Sequence, residues 1–314
     1  MPRSFKKDAV KQDKDILKLL PAKPDSPPTS RRVGIHTSTA GGVENAAERA
    51  WRLGCNAFQV FSSSPRQWAP YDLARSQCEV MSSLREKYDQ RPLAIHANYL
   101  VNLAAINPEI LQKSIIAFRS EIERAIALCA EYIVLHPGSF RGGSREEGLA
   151  RVAASIALAA QGTGIERSGL TILIENTAGA EFSLGGKFEQ VAELLQRLAG
   201  VVPVGACIDT CHTHVSGYDI VSESGYSETM SLLDAAVGLK NIPVWHCNDA
   251  KAACGSKLDR HEHIGKGTIG LELFRRLLND SRTAHAAFIA ETPIDEPLDD
   301  LTNVRVLKSV VASE

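Results

Sequence analysis

Residues 132–177 read YIVLHPGSFRGGSREEGLARVAASIALAAQGTGIERSGLTILIENT. The stretch opens on a short apolar run that closes at His136, crosses a Gly/Ser-rich loop, and continues as REEGLARVAASIALAAQ (145–161) with helical spacing of its apolar residues. It ends on a second apolar run, TILIENT (171–177), closed by a carboxylate and an amide. Two short apolar runs joined by a segment of helical period are the pattern of a βα repeat with a parallel sheet.

The same unit recurs on both sides. Strands are expected at RVGIHTS (32–38), AFQVF (57–61), LAIHA (93–97), YIVLHPG (132–138), TILIENT (171–177), VGACIDT (204–210), IPVWHCND (242–249) and AFIAETP (287–293). Helical segments lie between them, among them VENAAERAWRLG, SIIAFRSEIERAIALCAE, FEQVAELLQRLAG, LLDAAVGLK and LELFRRLLND, several ending at Gly or Asn as helix C-termini do. Eight alternating units in about 280 residues predict an α/β fold, a single (β/α)8 TIM barrel over residues 32–314. A doubly wound open sheet is the structural alternative, but no Gly-rich dinucleotide fingerprint follows the first strand. Residues 1–31 are charged and proline-containing without sustained apolar period, and are expected to form a flexible basic N-terminal extension.

Composition bounds the partners. The 314 residues are 44% hydrophobic and 23% charged, as in an ordinary soluble domain. No apolar run approaches the roughly 20 residues that span a bilayer, and no secretory pattern opens the chain. The expectation is a cytoplasmic protein without a membrane partner, associated with the nucleoid if bacterial. Residues 1–32 carry nine Lys/Arg against four Asp, a formal +5, which leaves −7 on the rest of a chain whose net charge is −2. An acidic body argues against nucleic acid unless its carboxylates hold cations, in which case the local field can be positive. The seven cysteines are odd in number and form no CxxC pair, so neither a disulfide framework nor a thiolate zinc ribbon is supported.

In a barrel of this kind the functional face lies at the C-terminal ends of the strands. Polar residues collect there: His96, His136, Glu175, Asp209, His246 with Asp249 beyond it, and Glu291 each follow an apolar run. One strand-end histidine is more often a hydrogen-bonded core residue than a ligand, but six ionisable groups converging on a low-dielectric mouth need pairing or cations. Nitrogen and carboxylate donors suit Zn²⁺, Mn²⁺ or Fe²⁺. His212, just past Asp209, and the pair Asp259 and His261 in LDRHEH (258–263) raise the candidates to nine, enough for three sites.

The motifs GIHTSTAGG (34–42), FSSSPRQW (61–68), IHANYLVNLA (95–104), HPGS (136–139), IENTAG (174–179), CIDTCH (207–212), HCNDAK (246–251), DRHEHIGKG (259–267) and ETP (291–293) resemble, in order, those of endonuclease IV, the metal-dependent apurinic/apyrimidinic endonucleases of base-excision repair. The resemblance covers residues 32–312. It implies a xylose-isomerase-like (β/α)8 barrel with three zinc ions, Mn²⁺ or Fe²⁺ being alternatives at some sites. It further implies one ion on His96, His136 and Glu175, with Glu175 bridging to a second on Asp209, His246 and Glu291, and a third on His212, Asp259 and His261. The expected reaction is hydrolysis of the phosphodiester 5′ to an abasic site in double-stranded DNA, leaving a 3′-hydroxyl and a 5′-deoxyribose phosphate, with trimming of blocked 3′ ends. Glu175 would orient or deprotonate the attacking water, and the protein would act as a monomer.

For DNA contact the resemblance points to Arg66, Tyr99 and Leu100 as residues that enter the duplex, against the plainer reading of surface loop residues. Lys251, Lys257 and Arg260 are candidate phosphate contacts or ordinary solvated charge. His36 is expected to hydrogen-bond behind the ligands. His214, His263 and His285 read as bystanders, and Cys207 and Cys211 as small packing residues. The competing function is a divalent-metal sugar isomerase or epimerase on the same barrel, which leaves His212, Asp259 and His261 without a purpose. A non-catalytic binder of damaged DNA would leave all nine ligand positions unexplained.

Overall fold

The strands are β1 (Arg32–His36), β2 (Ala57–Phe61), β3 (Leu93–His96), β4 (Tyr132–Leu135), β5 (Thr171–Glu175), β6 (Val204–Asp209), β7 (Val244–His246), β8 (Asp249–Ala250), β9 (His261–Glu262) and β10 (Ala287–Ala290). In the computed structural model, which describes residues 17–26, 29–69 and 71–312, eight of them close a parallel barrel in the order β1-β10-β7-β6-β5-β4-β3-β2. β8 and β9 form a separate antiparallel ribbon beyond β7. Each barrel strand falls within an expected run, but most stop short of its end. β4 ends at Leu135 because Pro137 has no N–H for the ladder and Gly138 turns the chain at φ 99°.

Helices clothe the outside, and their starts are written locally. The Asn107 side chain accepts from Glu109 N at 2.9 Å and Ile110 N at 3.1 Å, ahead of a helix (Pro108–Ala127) whose first residue is proline. Ser144 and Glu147 form a reciprocal capping box on the helix Arg145–Ala160.

A period of two along the strands positions everything that follows. Ala94, Val134, Leu173, Cys207, Val244 and Ile289 form a buried cluster of their own inside the barrel. Two residues further along each strand, and so on the same face, stand His96, His136, Glu175, Asp209, His246 and Glu291. On the remaining two strands, Gly34 pairs with both Ile289 and Ala57. His36 and Gln59, each two residues on, therefore complete an eight-member tier facing the barrel axis.

Of the expected N-terminal extension, residues 1–16 and 27–28 lie outside the described residues. Residues 17–26 differ from a free tail, because they find partners on the barrel. Leu20 is buried in the main core, Arg52 Nη1 donates to Leu17 O at 3.2 Å, Asp25 pairs with Arg305, and Lys308 Nζ donates to Ser26 Oγ at 2.9 Å. No helix among the described residues is long and apolar enough to cross a membrane.

Candidate metal centre

Glu175 is fully buried at the end of β5, and its two oxygens face opposite ways. Oε2 lies 3.2 Å from His96 Nε2 and 3.0 Å from His136 Nε2, whereas Oε1 lies 2.9 Å from His246 Nδ1. His246 Nδ1 is in turn 3.3 Å from Glu291 Oε2. One carboxylate thus belongs to two groups of candidate ligands, His96/His136/Glu175 and Glu175/Asp209/His246/Glu291.

The third group, His212/Asp259/His261, comes from beyond the barrel strands: His212 from the short helix Thr210–Val215, Asp259 from a loop and His261 from β9. Asp209 ends β6 and caps the following turn, accepting from His212 N at 2.8 Å, which holds His212 beside it. β8 and β9 bring the 259–261 segment back over the mouth. Asp259 then lies 3.4 Å from His212 Nε2 and 3.2 Å from His261 Nε2. In each group the ligand atoms lie within 4.8 Å of one another. All nine residues singled out from the sequence are therefore brought together.

Three observations show that these residues suit divalent cations. His261 Nε2 is buried with no hydrogen-bond partner, despite the nearby carboxylate. His96, His212 and His261 each direct Nδ1 to a backbone carbonyl, of Ala97 (2.8 Å), Asn176 (2.9 Å) and Glu291 (3.0 Å), which leaves Nε2 as an inward lone pair. The donors are imidazole nitrogen and carboxylate oxygen, the set preferred by Zn²⁺, Mn²⁺ and Fe²⁺.

Charge points the same way. Burial alone would raise Glu175, yet the His246 and His136 imidazoles hold it well below the usual carboxylate range. Burial likewise opposes protonation of His212, but Asp209 and Asp259 carry it well above an ordinary histidine. His261 is raised to about 9 against burial by Asp209 and Asp259. A site of four carboxylates favours positive charge close by, which bound cations would supply.

Three uncharged amides also tie the site together. Asn176 accepts from Asp209 N at 2.7 Å through its side chain and receives His212 Nδ1 on its carbonyl. Asn248 donates to Asp209 Oδ2 at 2.6 Å and accepts from Glu291 N at 2.7 Å. Gln59 donates to Glu291 Oε1 at 2.6 Å and faces His246 Nε2 at 2.9 Å through Oε1. The first two directly follow strand-end ligands or lie two past them, which was a usable signal; Gln59 in AFQVF carried none.

Asp249 turns away from the centre. Its carboxylate accepts from Gly267 N and Ile269 N, both at 3.0 Å, and from Gly270 N at 3.2 Å, and so anchors the loop that follows β9. His36 Nδ1 stands 3.3 Å from Glu291 Oε1, behind the ligands. His214 reaches Thr268 Oγ1 at 3.2 Å, and His285 is exposed just ahead of β10. His263 joins Asp295 and Asp299 in a further group. There the Asn303 Nδ2 donates to His263 Nδ1 at 3.0 Å, so Nε2 keeps its proton for the carboxylates. Cys207 and Cys211 are buried, and burial pushes the Cys207 thiol up to about 12.

Arg66 and Tyr99 are exposed at the rim and Leu100 half-buried. Asn98 ties their two loops together, donating to Ser64 O (3.1 Å) and Gln67 O (2.6 Å) while accepting from Leu100 N (2.8 Å). The Tyr99 ring meets Phe61 edge-on, with centroids 5.1 Å apart. Lys251, Lys257 and Arg260 are exposed around the ribbon, Lys251 lying 3.7 Å from Glu262.

A family model described as xylose isomerase-like TIM barrel matches residues 47–310. A probable endonuclease 4 from Solibacter usitatus is 46% identical over 285 residues, covering 90% of this chain and 98% of its own. Endonuclease 4 of Thermus thermophilus is 40% identical over 280 residues, 88% of this chain and 97% of that one. A crystal structure of endonuclease IV from Thermus thermophilus superposes with a TM-score of 0.80 at 39% identity, covering 89% of this chain and 98% of that one. A D-tagatose 3-epimerase-like protein, at 20% identity and TM-score 0.66 over 89% of this chain and 96% of its own, shares the fold.

Proposed function

The chain belongs to the endonuclease 4 family on these matches, and from that premise we propose how its barrel mouth cuts DNA. The protein is a DNA-cleaving hydrolase, an apurinic/apyrimidinic endonuclease that works with bound metal. The finer reading is incision 5′ to an abasic site, leaving a 3′-hydroxyl and a 5′-deoxyribose phosphate, by a monomer holding three zinc ions. Trimming of blocked 3′ ends belongs to the same reading, since the bond cleaved is the same. What carries it is the gathering of nine nitrogen and carboxylate donors into three groups, two of which share Glu175. A sugar isomerase or epimerase gives no role to the third group.

Cations held by these nine residues would supply Lewis-acid chemistry, lowering the pKa of water and offsetting charge on the phosphate and the departing 3′ oxygen. Around them the chain's own residues set geometry. Glu175, a carboxylate at the junction of two ligand groups, would orient the attacking water as a hydrogen-bond acceptor or take its proton as the P–O bond forms. Asn98 keeps the Arg66 and Tyr99 loops in register, so both enter the duplex together where the missing base leaves a gap. Turning out an abasic nucleotide costs least, because no base pair is broken.

Incubation with a duplex carrying one tetrahydrofuran residue is expected to give a single cut on its 5′ side with a 3′-hydroxyl end, read on a sequencing gel. A preparation replete with metal that leaves this duplex intact would sink the reading. Tyr99→Ala is expected to weaken binding to that duplex by about 1–3 kcal/mol, roughly 5- to 150-fold in Kd, through lost stacking. Bound metal should be unchanged. An equal loss of affinity for undamaged duplex would move Tyr99 from lesion reading to general contact.

A further inference from the structure

We propose that Gln59 is a positioning residue that selects which nitrogen of His246 faces the metal centre. The inference rests on the metal-binding reading above. Gln59 is fully buried on β2, in the inward tier with the ligands, and is the one member of that tier that cannot ionise. Its amide orientation is dictated by its neighbours. Glu291 stands with Oε1 3.3 Å from His36 Nδ1 and Oε2 3.3 Å from His246 Nδ1, and a carboxylate that holds a cation only accepts. The amide NH₂ must then be the end that lies 2.6 Å from Glu291 Oε1, and it also lies 2.9 Å from His36 Nδ1.

The amide oxygen is thereby aimed at His246 Nε2, 2.9 Å away, and an oxygen in that place requires the proton on Nε2. Nδ1 is left to the centre, where it faces Glu175 Oε1 at 2.9 Å and Glu291 Oε2 at 3.3 Å. This is the reverse of His96, His212 and His261, whose Nδ1 atoms are engaged by backbone carbonyls and which offer Nε2. One side chain thus fixes the ring of His246 and, through its NH₂ group, the carboxylate of Glu291, two ligands of a single group. Partners behind ligating residues commonly contribute about 10- to 100-fold in metal affinity.

Gln59→Met keeps the volume and removes the contacts to Glu291, His36 and His246. Zinc titration of the full chain against a chromophoric chelator, with elemental analysis, is expected to show one ion weakened about 10- to 100-fold. The ion on His212, Asp259 and His261 should keep its affinity. Wild-type affinity for every ion in Gln59→Met overturns the proposal. A wild-type chain that binds no zinc, Mn²⁺ or Fe²⁺ takes down the metal reading beneath it instead. The tautomer is read independently of that variant by long-range ¹H–¹⁵N correlation on the zinc-loaded wild type, with His246 assigned by its loss in His246→Gln. A proton on Nε2 is expected, and a proton on Nδ1 refutes the role even where Gln59→Met does not fold.

Discussion

Stripping divalent cations with a strong chelator is expected to lower incision of a tetrahydrofuran-containing duplex by about 10³-fold or more, with recovery on adding Zn²⁺. The site holds Glu175, Asp209, Asp259 and Glu291 within one mouth, and a phosphodiester approaching them without cations meets like charge in a poorly screened setting. Cations at such a centre contribute several kcal/mol to the transition state, and about 4 kcal/mol corresponds to three decades in rate. Imidazolium groups would replace only part of that charge, and an N–H hydrogen-bond donor is a weaker electrophile than a divalent cation. Full turnover by protein shown by elemental analysis to be free of metal would end the mechanism.

The second large effect is expected from Glu175→Gln. The substitution keeps the volume and one oxygen but removes the charge and the second acceptor, on a group that faces two ligand sets at once. Cleavage should slow by about 10²- to 10⁴-fold, the range for a positioned acid or base. Kd for the abasic duplex should change by less than about threefold if, as proposed, the rim residues set it. Elemental analysis separates the two ways of losing rate. A slow variant with full metal supports alignment of the water, whereas unchanged turnover removes Glu175 from the reaction.

Most of the architecture was readable because a barrel repeats one local rule. Apolar runs of strand length alternate with helical ones, and each helix start carries its own cap, as Asn107 and Ser144 do. The six strand-end candidate ligands were equally legible, since period two along a strand makes the residue after the apolar stop point the same way as the one two before it. His212, Asp259 and His261 were legible as candidates in loops, but their association with one another was supplied by family resemblance. Residues 17–26 show the opposite case. Their charge and proline content read as a tail, while their partners Arg305 and Lys308 lie some 280 positions away.

The sequence alone therefore determined the barrel, the end of it that does chemistry, and the donor types available there, because each follows from local periodicity and residue identity. Only the tertiary structure decided how those donors are shared and aimed. Glu175 joins two groups by meeting His96 from 79 positions away and His246 from 71. Gln59 turns the His246 ring across 187 positions. Such contacts depend on closure of β1 against β10 and on the resulting tier, and no local pattern of apolar and polar residues encodes the orientation of an amide or the face of an imidazole.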